Sequence, residues 1–176
     1  DLVFLYKESS CQQLDRNIYV KLAQKVLNML QTNTLSGFLY QVDIRLRPLG
    51  GSGLLVSSLD SFHEYQLSKA WSWEHQALSR ASAVAGDHQV IDLFSQIKLD
   101  VLPKYTQDMA LQEKLVADIS QMRVKIAQTK LKSKNTINAS NQRFNLDYIK
   151  YAPGGLNDIE FLVQYLDIIF DKIKFD

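Results

Sequence analysis

The chain has 176 residues, 46% of them apolar and 22% charged, which suits one globular domain or two small ones. Lys and Arg total 20 against 19 Asp and Glu, a formal charge of +1, so the basic footprint of a nucleic-acid binder is missing. No apolar run approaches the ~18 residues of a membrane span, and the single Cys11 excludes an internal disulfide and fits a reducing cytoplasm.

The opening Asp1-Leu2-Val3-Phe4-Leu5-Tyr6 lacks the basic and long apolar regions of a signal peptide and reads as a buried strand. Lys7 to Arg16 is a polar connection holding Cys11. Asn17 to Gln31 has helical spacing, with Tyr19, Leu22, Ala23, Val26 and Leu30 on one side and Asp15 as its cap. Gly37 to Arg47 alternates. Phe38, Tyr40, Val42, Ile44 and Leu46 fall on one face of a strand, and Gln41, Asp43, Arg45 and Arg47 on the other. Pro48 ends the pairing, since it has no N–H to give.

Leu49 to Gly53 is a glycine-rich loop, and Leu54 to Ser57 a short strand. A helix follows from Ser58 or Asp60 to about Gln66, and another from Ala70 to Leu78. Arg80 to Ala85 reads as a further strand, and Gly86-Asp87 as a turn where strand signals fade. Val90 to Leu102 is helical until Pro103. Asp108 to Leu131 is a long amphipathic helix with Leu111, Leu115, Ile119, Met122 and Ile126 along one side. The polar stretch to Arg143 and an extended piece from Phe144 to Lys150 lead to a turn at Pro153-Gly154-Gly155. The last helix, Leu156 to Ile173, has Ile159, Leu162, Val163, Leu166 and Ile169 as its expected buried stripe. This order predicts an α+β fold with a break near Gly86.

Asp43, Arg45 and Arg47 stand roughly 7 Å apart at about 3.3 Å per residue. A carboxylate holds a hard cation such as Mg²⁺, and neighbouring guanidiniums grip phosphate oxygens. The pattern therefore suits a nucleoside triphosphate with its metal; charges on a half-exposed strand would look the same. Asp1 heads a strand that the strand–helix–strand order can set beside Asp43, as a two-ion phosphoryl-type site requires. Trp71 to Arg80 holds both tryptophans of the chain. Glu74 and Arg80 there are either a core pair or groups at a cleft rim. Gly154, Gly155, Asp158 and Glu160 at the last helix start either complement its dipole or approach a phosphate. His63, His75 and His88 have no metal-ligand spacing, so a zinc site is not expected.

Four segments, in order, resemble the bacterial glutamine synthetase adenylyltransferase (glutamate–ammonia-ligase adenylyltransferase) family. They are Asp1 to Tyr6, Tyr40 to Pro48, Ala70 to Leu78 and Gly154 to Phe161, and they span nearly the whole chain. The resemblance implies a polymerase-β-like nucleotidyltransferase core with a mixed sheet, residues 1–88, followed by a helical domain, residues 89–176. It implies transfer of AMP from ATP to a tyrosine of glutamine synthetase, with release of pyrophosphate. Asp1 and Asp43 would be catalytic and hold Mg²⁺, and Arg45 and Arg47 would neutralise the polyphosphate of ATP; Glu74 and Arg80, read from the residues as groups at the cleft rim, are the further candidates for ATP contact. The partner would be glutamine synthetase, with a PII-type signal protein as a second, and the location cytoplasmic.

Leu55 to Ser58 and Trp71 to Leu78 are similar to the adenylylating half of that two-headed family. The half that removes AMP by phosphorolysis, and a non-catalytic domain binding a regulatory partner, stay open as alternatives. The family's first strand carries an Asp-x-Asp pair after a phosphate loop. Asp1 stands where the second Asp would be, so the chain is expected to be an inactive fragment of its parent enzyme.

Overall fold

The computed structural model describes residues 1–8, 16–132 and 146–170. Cys11, the Asp15 cap, the polar stretch 133–143 and the end of the last helix lie outside the described residues. The fold is mostly helical with one two-stranded sheet, compatible with α+β. It forms two compact units: Asp1–Ala70 with Ser82–Val101, and Trp71–Ala81 with Leu102–Asp176.

The first unit is built on β1 (Phe4–Tyr6) and β2 (Val56–Ser58), which pair in parallel with Phe4 opposite Val56 and Tyr6 opposite Ser58. Parallel neighbours need a crossover, and α1 (Arg16–Gln31) lies in it. Helix α1 buries Ala23 and Leu27, four residues apart, while Leu22 from its expected stripe is exposed. Tyr19 stacks on Tyr6 with ring centroids 4.6 Å apart. Helix α2 (Leu59–Ser68) starts at Ser58, whose Oγ accepts from the Ser61 N–H at 3.3 Å. Its buried Phe62 meets Phe94 of α4 (His88–Val101), which also buries Ile97 and Val101.

Two expected strands do not form. Of the stretch Arg80 to Ala85, Arg80 ends a helix and the rest belongs to no strand among the described residues. Gly37 to Arg47 makes scattered bonds rather than a ladder. The Leu2 N–H donates to the Asp43 carbonyl at 2.9 Å, and the Tyr40 N–H to the Leu30 carbonyl at 3.1 Å. The Gln31 side-chain amide donates to the Val42 carbonyl at 3.1 Å. Phe38 and Tyr40 are exposed, so the alternating apolar face covers no core at that end. At the other end the Asp43 Oδ1 accepts from the Arg45 N–H at 2.8 Å. That local bond turns the chain where a strand would have continued.

The second unit holds α3 (Ser72–Arg80), α5 (Lys104–Gln107), α6 (Met109–Lys132), α7 (Leu146–Tyr151) and α8 (Leu156–Phe170). Its core is Tyr105, Leu115 and Ile168, lined by Leu102, Leu111, Ile119, Tyr165 and Ile169. Helix α6 uses the expected stripe. Helix α8 does not: Asn157, Gln164 and Ile168 are buried, and Ile159 and Leu162 are exposed. Its apolar residues cover a broad arc, yet the buried Asn157 and Gln164 lie on the narrower polar side, so packing and not hydrophobicity chooses its inner face. The piece expected to be extended before it is helical from Leu146 to Tyr151. Among the described residues, no helix is long and apolar enough to cross a membrane.

Candidate active site

Asp43, Arg45 and Arg47 are neighbours in the first unit, though not on one strand face. The turn at Arg45 folds the first guanidinium onto the carboxylate. Arg45 Nε donates to Asp43 Oδ1 at 3.0 Å and to Oδ2 at 2.9 Å, and Nη2 to Oδ2 at 2.5 Å. With the Arg45 N–H on Oδ1, both carboxylate oxygens are engaged. The hydrogen bonds from the Arg45 side chain, then from its backbone, hold the Asp43 carboxyl down to about 2. The same pairing pushes Arg45 further up. The Arg45 side chain is nonetheless 79% exposed, so it is able to swing to another anion.

Asp1 is exposed, and the backbone bond from Leu2 N–H to the Asp43 carbonyl brings the two segments together. Asp43 is ionised at neutral pH and offers hard oxygen donors, which fit Mg²⁺. Among the described residues, no three His, Cys, Asp or Glu come together as a metal cluster. One or two carboxylates are what Mg²⁺ takes when substrate phosphates and water fill the rest of its shell. The chemistry of the donors therefore fits, on the condition that Arg45 yields at least one Asp43 oxygen.

Arg47 points elsewhere. Nη1 donates to the Ile44 carbonyl at 3.0 Å, Nε to Gly53 at 3.2 Å and Nη2 to Gly51 at 3.1 Å. The loop that it holds turns through Leu49 (φ 62°) and Gly50 (φ 57°), both left-handed. A β-carbon on Gly53 would stand 1.8 Å from the Pro48 carbonyl oxygen, so only glycine fits there. Sequence reasoning picked out the loop and the arginine separately. The signal linking them was an arginine just before Pro-x-Gly-Gly-x-Gly, close enough to reach back to the loop's own carbonyls.

Glu74 and Arg80 belong to the second unit. Glu74 is buried and its Oε2 accepts from the Trp71 N–H at 2.9 Å, closing the start of α3. Arg80 pairs with Glu160 at 2.5 Å rather than with Glu74. Trp71 is 69% exposed and anchors no core. Asp158 takes a bidentate grip from Arg123, with both bonds at 2.6 Å, and accepts from the Gly154 N–H at 2.8 Å. The acids at the start of α8 thus have partners in the protein. Sequence reasoning missed a polar cluster in this unit. Ser72 Oγ donates to Asp118 at 2.5 Å, and His75 Nδ1 meets the Tyr105 hydroxyl at 2.5 Å. Ser72 also bonds Tyr105, whose hydroxyl is pushed up mainly by burial.

The family model for glutamate-ammonia ligase adenylyltransferase matches residues 1–97. The chain is 44% identical over 176 residues to the bifunctional glutamine synthetase adenylyltransferase/adenylyl-removing enzyme of Shewanella oneidensis, covering 94% of this chain and 17% of that protein. It is 40% identical over 166 residues to the protein so named in Aromatoleum aromaticum, covering 94% of this chain and 16% of the relative. The corresponding Vibrio parahaemolyticus protein is 39% identical over 181 residues, covering 99% of this chain and 18% of its own length. The chain thus spans about a sixth of the length of these curated relatives. The family match takes in the Asp43–Arg45 pair, the Arg47 loop and both strands of the first unit, and the chain belongs to the glutamate-ammonia ligase adenylyltransferase family.

Proposed function

We propose that this chain carries the nucleotide-handling part of an enzyme that moves AMP from ATP to a tyrosine of glutamine synthetase. In this reading residues 1–88 are a polymerase-β-like nucleotidyltransferase core and residues 89–176 a helical domain. The observation that carries it is the Asp43 carboxylate, held ionised by an exposed guanidinium on backbone that is bonded to the residue after Asp1. Bound Mg²⁺ would supply neutralisation of polyphosphate charge. Asp1 and Asp43 would hold it, and Arg45, leaving Asp43, would take a phosphate oxygen. The tyrosine oxygen bonds to the α-phosphorus, the bond from the α-phosphorus to the bridging oxygen breaks, and pyrophosphate leaves. The phenol proton is released in the same exchange. Positioning and charge stabilisation dominate such a reaction.

The relatives' printed names join two activities, so removal of AMP by phosphorolysis is the second reading. Labelled ATP and unmodified glutamine synthetase test the first activity in the whole protein. Phosphate and adenylylated glutamine synthetase test the second. Transfer of label that vanishes with Asp43→Asn supports the proposal; phosphate-dependent AMP release without transfer replaces it by the second reading.

A further inference from the structure

Arg47 was expected to meet phosphate beside Arg45, yet each of its three nitrogens donates to backbone. A guanidinium grips a phosphate along one of two planar edges, Nε with Nη2 or Nη1 with Nη2. Here Nε and Nη2 face the Gly53 and Gly51 carbonyls, so that edge is occupied by the loop, and Nη1 gives a further N–H to Ile44. The three carbonyls come from two places. Ile44 stands between Asp43 and Arg45, and Gly51 and Gly53 belong to the loop that follows.

The loop is otherwise set by few bonds. Gly50 N–H donates to the Arg47 carbonyl at 2.9 Å, Gly53 N–H to Gly50 at 3.2 Å, and Ser52 Oγ to Leu49 at 2.9 Å. Leu49 is left-handed, a conformation that a leucine keeps only where its surroundings enforce it. Gly53 lies against Pro48 too closely for any side chain. A single cation thus ties a tightly wound loop to the backbone from which Asp43 and Arg45 project.

We propose that Arg47 is a positioning residue: it fastens the Gly50–Gly53 loop to Ile44 and thereby sets Asp43 and Arg45 for a magnesium–nucleoside triphosphate that Arg47 itself does not touch. This rests on the nucleotide reading above, and it assigns the phosphate contact to Arg45 alone. Lysine in place of Arg47 keeps the charge and loses the planar fork, so it cannot hold three carbonyls at once.

The test is NMR of this chain with Arg47→Lys and Gly53→Ala beside the wild type. In the wild type the Arg47 Nε–H should exchange with solvent at least tenfold more slowly than that of free arginine. Arg47→Lys should speed exchange of the Gly53 amide at least tenfold and leave the α2 amides unchanged. Gly53→Ala, which removes no charge, should move the Asp43 and Arg45 side-chain signals as Arg47→Lys does.

Titration of the whole protein with Mg-ATP, the arginines labelled, should then shift Arg45 Nε and leave Arg47 Nε in place, and both variants should weaken that response about tenfold. A merely structural arginine would leave the Arg45 response unchanged in Arg47→Lys. A free, fast-exchanging Arg47 Nε–H, or one that moves with Mg-ATP while Arg47→Lys binds as well as wild type, overturns the proposal. If no signal responds to Mg-ATP, the nucleotide reading falls, and the exchange measurements alone decide whether Arg47 holds the loop.

Discussion

The Tyr105 hydroxyl lies 2.5 Å from His75 Nδ1, and both residues are buried in the second unit. The same hydroxyl bonds Ser72, whose Oγ reaches Asp118. Four side chains from α3, α5 and α6 therefore share one polar cluster, buried at His75 and Tyr105 and half-buried at Ser72 and Asp118. Buried polar groups hold a fold firmly only while they stay paired. Tyr105→Phe keeps the ring and strips the hydroxyl from two partners. Urea unfolding should show a loss of about 1–3 kcal/mol, the scale of a buried group losing its hydrogen bond. A change below ~0.5 kcal/mol would mean that the cluster repairs itself or takes up water.

Asp43 offers a pH test that needs no activity. Its carboxyl is held at about 2, chiefly by hydrogen bonds from Arg45. An unfolded Asp titrates near ~3.9. The folded group therefore binds its proton less readily, and its contribution to stability is complete above the unfolded value and lost as pH falls through about 2. Carbon-detected NMR should find the midpoint near 2 in the wild type. Arg45→Ala should move it up toward the ordinary aspartate value. A normal midpoint in the wild type would show that the pair does not persist in solution.

Asp43→Asn keeps the size of the side chain and removes its charge. If Asp43 holds the magnesium of the nucleotide, adenylyl transfer by the whole protein should drop by ~10²-fold or more. The fold should persist, because the side chain is at the surface of its unit and no core contact depends on it. Activity within a few-fold of wild type, with an unchanged circular dichroism spectrum, would remove Asp43 from the chemistry.

What could be read from the chain follows the range of the forces involved. The stripe of Leu111, Leu115, Ile119, Met122 and Ile126 has a single apolar side, so the sequence identifies α6 and its inner face together. Helix α8 was equally plain as a helix, but neighbours chose Asn157 and Gln164 from its polar side, with Ile168, for the interior. The alternation from Phe38 to Leu46 defines two faces without naming a partner strand. A local bond from Asp43 to the Arg45 N–H was enough to turn the chain instead.

The candidate site divides in the same way. Asp43 and Arg45 are two residues apart and their pairing was within reach of sequence reasoning. The Arg80–Glu160 pair spans 80 positions and was not. The role of Glu74 was legible after all, as an acid three residues after the Trp71 that starts a helix, and it serves the Trp71 N–H.

Arg123 and Asp158 join α6 to the start of α8 by two parallel bonds. The Arg123 guanidinium, then the Gly154 N–H, hold the Asp158 carboxyl below the usual range. Arg123 is 38% exposed, so solvent weakens the pair. A double-mutant cycle with Arg123→Ala and Asp158→Ala should give a coupling on the small scale of a surface ion pair that shrinks with salt. Coupling that is salt-independent and well above this scale would mean that the pair is effectively buried.

The turn before α8 gives a sharper contrast. Gly154 has φ 79°, and Gly155 lies where a β-carbon would come within 2.5 Å of the Ile149 carbonyl oxygen and 2.9 Å of that of Ala152. Those neighbours are backbone, so they do not swing aside. The Gly155 N–H also donates to the Ala152 carbonyl at 2.8 Å, which fixes how α7 leads into α8. The glycine pair thus has a packing reason that is independent of any anion. Gly155→Ala should destabilise the protein by about 1–3 kcal/mol, as overpacking does. Gly51→Ala is the control, because a β-carbon there meets nothing within 4 Å and the backbone is not left-handed. Its stability should stay within about ±0.5 kcal/mol of the wild type, the ordinary range of surface changes, with the thermal midpoint nearly unmoved. Equal midpoints for the two variants would mean that the α7–α8 turn adapts, and that the tight approach at Gly155 is not what requires glycine there.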